Sequence, residues 1–347
     1  MIAVALSGGV DSAAAAIRLR ESRQDLMGLT FLFGESNPPL ANIERAGSLC
    51  AYLNIRHVVV DAASQFSSIK EYFCREYLAG KTPNPCVVCN RDIKFGLLLE
   101  KAGKLGAQSI ATGHYVRKAG SEGRVWLGRA REKNSQEYFL GLLSQEAVRR
   151  SLFPLHDTTK EEARELVAGT GLTIHERDTS QDVCFIGEEG YVPFITSYTG
   201  YHPCPGNILS RRGLVIGGHK GALFYTIGQR KGLGMGFGRR VYVLGIDMEK
   251  NTVTIGDREQ WPYRGFFMDE VNFMKITGLQ EPLKVRIKVR YRQEAQDALI
   301  IPVSDKGAAV RYDGLFSPGQ LAVAYDGQDD ILCAGIIHSP LMDIPGA

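Results

Sequence analysis

Nothing in this sequence of 347 residues approaches the roughly 20 consecutive apolar residues of a membrane span. The apolar stretch at its start, Ile2 to Leu6, is too short for a secretory signal. An excess of charge of one sign is also missing, since 41 Lys and Arg stand against 38 Asp and Glu. The sum therefore neither demands nor excludes a nucleic-acid partner, and the distribution has to decide. Cysteine is sparse. Seven unevenly spaced residues exclude the regular framework of a disulfide-rich secreted domain and fit a reducing cytoplasm. There is one Cys-x-x-C pair, Cys86 and Cys89, so a four-cysteine zinc site cannot be assembled from pairs. Internal repeats and low-complexity segments are absent. What remains is an ordinary hydrophobic content of 44%, in a chain long enough for two or three domains.

The informative stretch is Ser7-Gly8-Gly9-Val10-Asp11-Ser12. It follows an apolar run and leads into the alanine-rich segment Ala13 to Leu19, which reads as strand, glycine turn and helix. Two adjacent glycines let a backbone approach an anion closely. The two serines and the free N–H groups of the helix start can bind phosphate. The common phosphate loop, with four residues between its glycines and a Lys after the second, is not present here. The stretch resembles the pyrophosphate loop of PP-loop ATPases, which cleave ATP between its α- and β-phosphates.

Strand and helix patterns alternate through the first half: Leu26 to Phe33 (strand), Asn42 to Leu53 (helix), His57 to Val60 (short buried strand), Gln65 to Leu78 (helix), Arg91 to Leu105 (helix) and Ser109 to Thr112 (strand). Thr158 and Thr159, each with Glu three residues later, open another helix with capping-box spacing. This alternation predicts an α/β domain with a parallel sheet covered on both faces, and ligands bind such sheets at the carboxyl ends of the strands. After about Gly200 the helical signal fades. Short strand-like runs follow at Phe224 to Ile227, Val241 to Ile246 and Val253 to Ile255, and strands continue from Val271, as in β-modules or a small barrel. The boundaries fall near residues 200 and 258, giving units of 1–200, 201–257 and 258–347.

Thr82 to Asn90 contains two prolines, Cys86 and Cys89, and reads as a stiff loop running into the helix from Arg91 with Asn90 as N-cap. Cys89 would then sit at a positive helix end that favours its thiolate. Cys184 lies in the polar, glycine-flanked run Ser180 to Gly187, which suggests a loop, whereas Cys50 and Cys74 fall in helical patterns and read as packing residues. Lys284, Arg286, Lys288, Arg290 and Arg292 alternate with apolar residues and Tyr291. Period two places all five cations on one strand face, spaced to follow RNA phosphates. Gln229, Arg230 and Lys231 add a polar cluster in a glycine-rich loop.

Seven segments occur in order: SGGVDS, TPNPCVVCN, ATGHY (Ala111 to Tyr115), QDVCFIG, YTIGQRKGLG (Tyr225 to Gly234), RYRQ (Arg290 to Gln293) and SPGQ (Ser317 to Gln320). Together they make the chain similar, over nearly its whole length, to the tRNA-specific 2-thiouridylases of the bacterial MnmA type. The resemblance implies an N-terminal Rossmann-like PP-loop domain of the adenine nucleotide alpha hydrolase kind, a small central β-rich domain and a C-terminal β-barrel. It implies replacement of the C2 oxygen of the wobble uridine by sulfur, driven by ATP with Mg²⁺ neutralising charge. ATP would lie on Ala5, Leu6, Ser7, Gly8, Gly9, Val10, Asp11 and Ser12, with Phe31 packing on adenine and Gly113 approaching the nucleotide. Cys184 would carry a persulfide supplied by a cysteine desulfurase or sulfur relay protein, and Cys89 would resolve it, leaving a Cys89–Cys184 disulfide. Asn84, Pro85 and Cys86 would meet the target base. His114, Asn134, Ser135, Gln136, Arg290, Tyr291 and Gln320 would contact the tRNA along its anticodon arm.

Many members of that family carry Asp where this chain has Cys86, and their Lys-Asp-Gln-Ser-Tyr-Phe run stands here as Asn134 to Phe139. Three thiols at Cys86, Cys89 and Cys184 open an alternative in which an iron–sulfur cluster delivers the sulfur. Two other function classes are a PP-loop amidotransferase-like ligase acting on a small substrate and a non-catalytic RNA-binding protein.

Overall fold

The computed structural model describes residues 1–34, 40–174, 183–233 and 240–344. Ser180, Gln181, Asp182 and Gly234, which belong to segments singled out above, lie outside the described residues.

The first unit is a five-stranded sheet in which every pair is parallel. Its strands are β1 (Ile2–Ala5), β2 (Leu26–Leu32), β3 (Arg56–Asp61), β4 (Ser109–Ala111) and β7 (Ser151–Leu152), in the order β3-β2-β1-β4-β7. Helix α1 (Val10–Glu21) is buried all round at Ala13 to Ala16, each at most 1% exposed, in one cluster with Val4 and Ala111 of the sheet and with Ala163 and Val167. Methyl side chains let the helix backbone approach its neighbours closely. Helices α2 (Leu40–Tyr52) and α3 (Ala63–Leu78) follow β2 and β3. β3 is not the buried strand that its apolar run suggested. It is the outermost strand, and Val59 is 45% exposed, because an edge strand is covered on fewer sides.

The Arg91 helix also differs from expectation. Helix α4 (Pro85–Cys89) begins six residues earlier and runs without a break through a π-helical stretch, Asn90–Leu97, into α5 (Leu98–Lys104). Asn90 has helical φ/ψ of −61° and −50°, and its N–H bonds back to the Cys86 and Val87 carbonyls, so it is not an N-cap. The start is Asn84, extended, followed by Pro85 at the first helical position, where a missing N–H costs no hydrogen bond. A hairpin follows, β5 (Arg117–Ser121) with β6 (Arg124–Gly128), then α6 (Gln145–Arg149). Thr159 opens α7 (Lys160–Ala168) with the expected capping box to Glu162. α8 (Tyr191–Thr199) closes this part.

The central unit is a four-stranded sheet, β10-β11-β8-β9, of β8 (Gly206–Ser210), β9 (Val215–His219), β10 (Tyr242–Asp247) and β11 (Thr252–Gly256). The run Phe224 to Ile227 is no strand: a 3-10 turn, Ala222–Phe224, leads into a loop there. Six strands then close a barrel in the order β12-β15-β14-β13-β16-β17, formed by β12 (Gly265–Phe273), β13 (Leu283–Lys288), β14 (Gln296–Ser304), β15 (Gly307–Tyr312), β16 (Leu321–Tyr325) and β17 (Ile331–Leu341).

The barrel and the first unit share a core. Val116, Leu127, Tyr138 and Leu140 pack with Met274, Leu321, Val323, Tyr325 and Ala334 of the barrel. Asp330, 2% exposed, accepts from Trp126 Nε1 and Lys275 Nζ, each at 2.8 Å, and from Arg117. A carboxylate this deep keeps its charge only with such partners.

Candidate active site

β1 leaves the sheet into the glycine turn, which Ser12 closes on itself. Ser12 Oγ accepts from the Ser7 N–H at 3.2 Å and donates to the Gly9 carbonyl at 2.9 Å. Gly8 has φ +74°, and a Cβ there would stand 2.4 Å from the Asn42 carbonyl oxygen, so α2 roofs the turn where only glycine fits. At Gly9 the nearest atom to an added Cβ is Ser7 Oγ at 3.4 Å. That leaves room on the side from which a phosphate would approach the unpaired N–H groups of α1. The turn therefore fits a polyphosphate. The β1–β2 register, with Ala5 opposite Leu29, puts Phe31 two residues past the last paired residue of β2, at the carboxyl end from which the turn leaves β1.

Phe31 packs into an apolar cluster that also contains Cys89, Phe66, Ile69, Val88, Ile93 and Phe185. Phe185 stands edge-on to Phe66 at 5.7 Å and Phe73 at 5.3 Å. It thereby anchors the neighbouring Cys184, which is exposed, at the edge of the cluster that holds Cys89. Cys89 itself is 8% exposed. Burial, opposed by Lys94, pushes its thiol up from 9.0 to about 11. The expectation of a helix start favouring a Cys89 thiolate is thus overturned: the start is at Pro85, and desolvation dominates. Cys86, one turn earlier, is raised by burial as well. Among the described residues no three Cys, His, Asp or Glu side chains form a metal-ligand set. The alternative cluster on Cys86, Cys89 and Cys184 therefore finds no preformed donors.

Residues 1–188 match the description "tRNA methyl transferase HUP domain", residues 193–257 "tRNA methyl transferase PRC-barrel domain" and residues 263–337 "Aminomethyltransferase beta-barrel domain". The chain is 40% identical to the tRNA-specific 2-thiouridylase MnmA of Heliobacterium modesticaldum, over 94% of this chain and 89% of that protein. It belongs to the MnmA family. MnmA 1 of Caldanaerobacter subterraneus subsp. tengcongensis is likewise 40% identical, over 97% of both chains. Among solved structures, the U34-tRNA thiolase NcsA from Methanococcus maripaludis with its [4Fe-4S] cluster aligns with 57% of this chain and 64% of that chain, at 18% identity and a TM-score of 0.37. That is too remote to bear on the site.

Within this MnmA-family framework, several of the residues expected at the tRNA turn inward. Ser135 is 6% exposed; its Oγ accepts from the Ala130 N–H at 2.8 Å and donates to the Tyr115 carbonyl at 3.3 Å. Gln136 Oε1 accepts from the Tyr115 N–H at 3.0 Å. Asn134 stays exposed and only its carbonyl is engaged, accepting from the Tyr291 hydroxyl at 3.0 Å; the Tyr291 ring lies 4.5 Å from Phe139. His114, bonded to Thr112 Oγ1 at 2.8 Å, is pushed down to about 3 by burial and by Lys94, so at neutral pH it offers an uncharged ring. Gly113, half-exposed, turns its Cβ side against the nucleotide turn: an added Cβ would lie 2.5 Å from the Asp11 carbonyl carbon and 2.7 Å from the Ser12 nitrogen.

The five-cation strip is divided. β13 ends at Lys288, so Arg290 and Arg292 lie beyond it. Lys288, its side chain 18% exposed, pairs with Glu137 at 3.4 Å, and Glu137 is 1% exposed. Arg290 Nη2 donates to Ser317 Oγ at 2.9 Å. Lys284 and Arg286 face outward. Gln320 Nε2 donates to the Thr82 carbonyl at 2.7 Å, and the Thr82 N–H donates to the Pro318 carbonyl at 2.8 Å. The SPGQ turn of the barrel thus grips the backbone just ahead of α4. Sequence reading missed this grip, and it missed Tyr115, which is fully buried with its hydroxyl on Asp11 Oδ1 at 2.7 Å. The presence of Tyr at the end of ATGHY was the one available signal.

Proposed function

We propose that the chain is an ATP-dependent tRNA-uridine 2-sulfurtransferase acting in the cytoplasm on the wobble uridine, in a three-domain arrangement divided near residues 200 and 258. The observation that carries the reading is one apolar cluster. It gathers Cys89, the anchor of Cys184 and Phe31, the last of these near the carboxyl end of β2, the strand that neighbours β1, from which the Ser7–Ser12 turn leaves. The C2 oxygen of uridine attacks the α-phosphorus of ATP and pyrophosphate leaves, held by the turn. The terminal sulfur of a Cys184 persulfide attacks C2, and AMP departs with the former oxygen. Cys89, as thiolate, attacks Cys184 Sγ and breaks the persulfide S–S bond. The products are 2-thiouridine and a Cys89–Cys184 disulfide, which a thiol reductant returns to two thiols. Mg²⁺ when bound would neutralise the phosphates, with Asp11 the carboxylate at hand. A cysteine desulfurase or relay protein reloads the exposed Cys184. Lys284 and Arg286, exposed on β13, supply cations for the anticodon arm.

The test is 2-thiouridine content of tRNA from cells lacking this protein, complemented with wild type or Cys184→Ser, together with identification of the nucleotide products in vitro. Wild type restores the modification, Cys184→Ser does not, and AMP with pyrophosphate accumulates. Unchanged 2-thiouridine in the deletion, or ADP as product, refutes the reading.

A further inference from the structure

The ATGHY segment makes two separate contacts with one residue of the nucleotide turn. Gly113 lies against the Asp11–Ser12 peptide so closely that no Cβ could be accommodated, with the Asp11 carbonyl carbon 2.5 Å away from where it would stand. Tyr115, two residues on, places its hydroxyl 2.7 Å from Asp11 Oδ1. Burying a tyrosine completely requires a partner for its O–H, and many acceptors would serve. Here the acceptor is the carboxylate in the first turn of α1. An ionised carboxylate accepts on both oxygens, so a donor fixed on Oδ1 sets the plane in which Oδ2 is presented.

Tyr115 is itself held from behind. Its N–H donates to Gln136 Oε1 at 3.0 Å, its carbonyl accepts from the Gln136 N–H at 2.8 Å, and Ser135 Oγ donates to the same carbonyl at 3.3 Å. The 3-10 turn Glu137–Leu140 that follows is joined to the catalytic helix, because Asn90 Nδ2 donates to the Phe139 carbonyl at 3.2 Å. A continuous set of bonded groups therefore runs from the residue after Cys89, through the Gln136 turn and Tyr115, to Asp11.

We infer that Tyr115 is a positioning residue for the nucleotide step: its hydroxyl orients the Asp11 carboxylate toward the polyphosphate, and the Gln136 clamp keeps it there. The inference rests on the ATP reading above. A purely structural Tyr115 would affect stability alone. A positioning Tyr115 affects nucleotide use and spares tRNA.

Tyr115→Phe keeps the ring and removes the hydroxyl. In the full-length protein, loss of a hydrogen bond to a charged group raises the Kd for MgATP by about 10- to 100-fold, read by calorimetry, and raises KM for ATP in the same proportion. KM for tRNA and the thermal midpoint stay at the wild-type values. Gln136→Ala, which frees the Tyr115 backbone, weakens MgATP binding in the same direction, and the two changes together cost less than their sum. A Tyr115→Phe protein that binds MgATP within twofold of wild type overturns the inference and leaves the ATP reading standing. So does one that melts early and loses ATP and tRNA alike. A wild-type protein that binds no MgATP overturns both.

Discussion

In the proposed reaction, the protonation of Cys89 sets a measurable limit on sulfur exchange. Its thiol stands at about 11 against an ordinary 9.0. At neutral pH the thiolate is therefore about 100-fold scarcer than that of an unperturbed cysteine, at tenfold per pH unit. Burial is the leading cause and Lys94 the main opposing one. Since only the thiolate attacks a disulfide or a haloacetamide, alkylation of Cys89 in the tRNA-free protein should rise about tenfold per pH unit from pH 7 to about 10 and level off near 11. Isotope-coded iodoacetamide with peptide mass spectrometry follows that residue alone. Comparing slopes across pH removes the effect of restricted access, which scales all points equally. Lys94→Met withdraws the one favourable charge and moves the curve to higher pH. A plateau for wild-type Cys89 below pH 8.5, or a Lys94→Met curve shifted to lower pH, would refute the argument that desolvation governs this thiol.

Gly8→Ala is expected to abolish MgATP binding by calorimetry while tRNA binding persists, because φ +74° and the Asn42 carbonyl leave no place for a methyl group. Lys288→Met removes the cation from a carboxylate that is 1% exposed, leaving the Tyr325 hydroxyl, at 3.2 Å, still donating to it. It should cost about 3 kcal/mol in urea unfolding, a buried pair broken from one side; Glu137→Gln in the same chain should regain most of it.

The features readable from the sequence were those set by neighbours in the chain. The strand, glycine turn and alanine helix of residues 2 to 19 follow from local geometry, and so does the Thr159–Glu162 box. The helix start was misplaced by six residues because two prolines read as loop. Yet Pro85 with an extended Asn84 before it is also a legitimate helix beginning, and only packing chooses. The cation alternation looked uniform because nothing near Lys288 in sequence announces Glu137, 151 residues away, or near Arg290 its partner Ser317. Likewise the thiol of Cys89 is governed by Phe66, Ile69 and Phe185, which no spacing rule connects to it.

The grip of Pro318 and Gln320 on Thr82 has a consequence in time. The two partners are 238 residues apart, so at roughly 5 to 20 residues per second about 10 to 50 s separate their synthesis. Through that interval the nascent chain already contains the Ser7–Ser12 turn, while the backbone leading into α4 still lacks the barrel that seats it. The segment that carries Cys86 and Cys89 thus acquires these backbone partners only after the barrel has emerged.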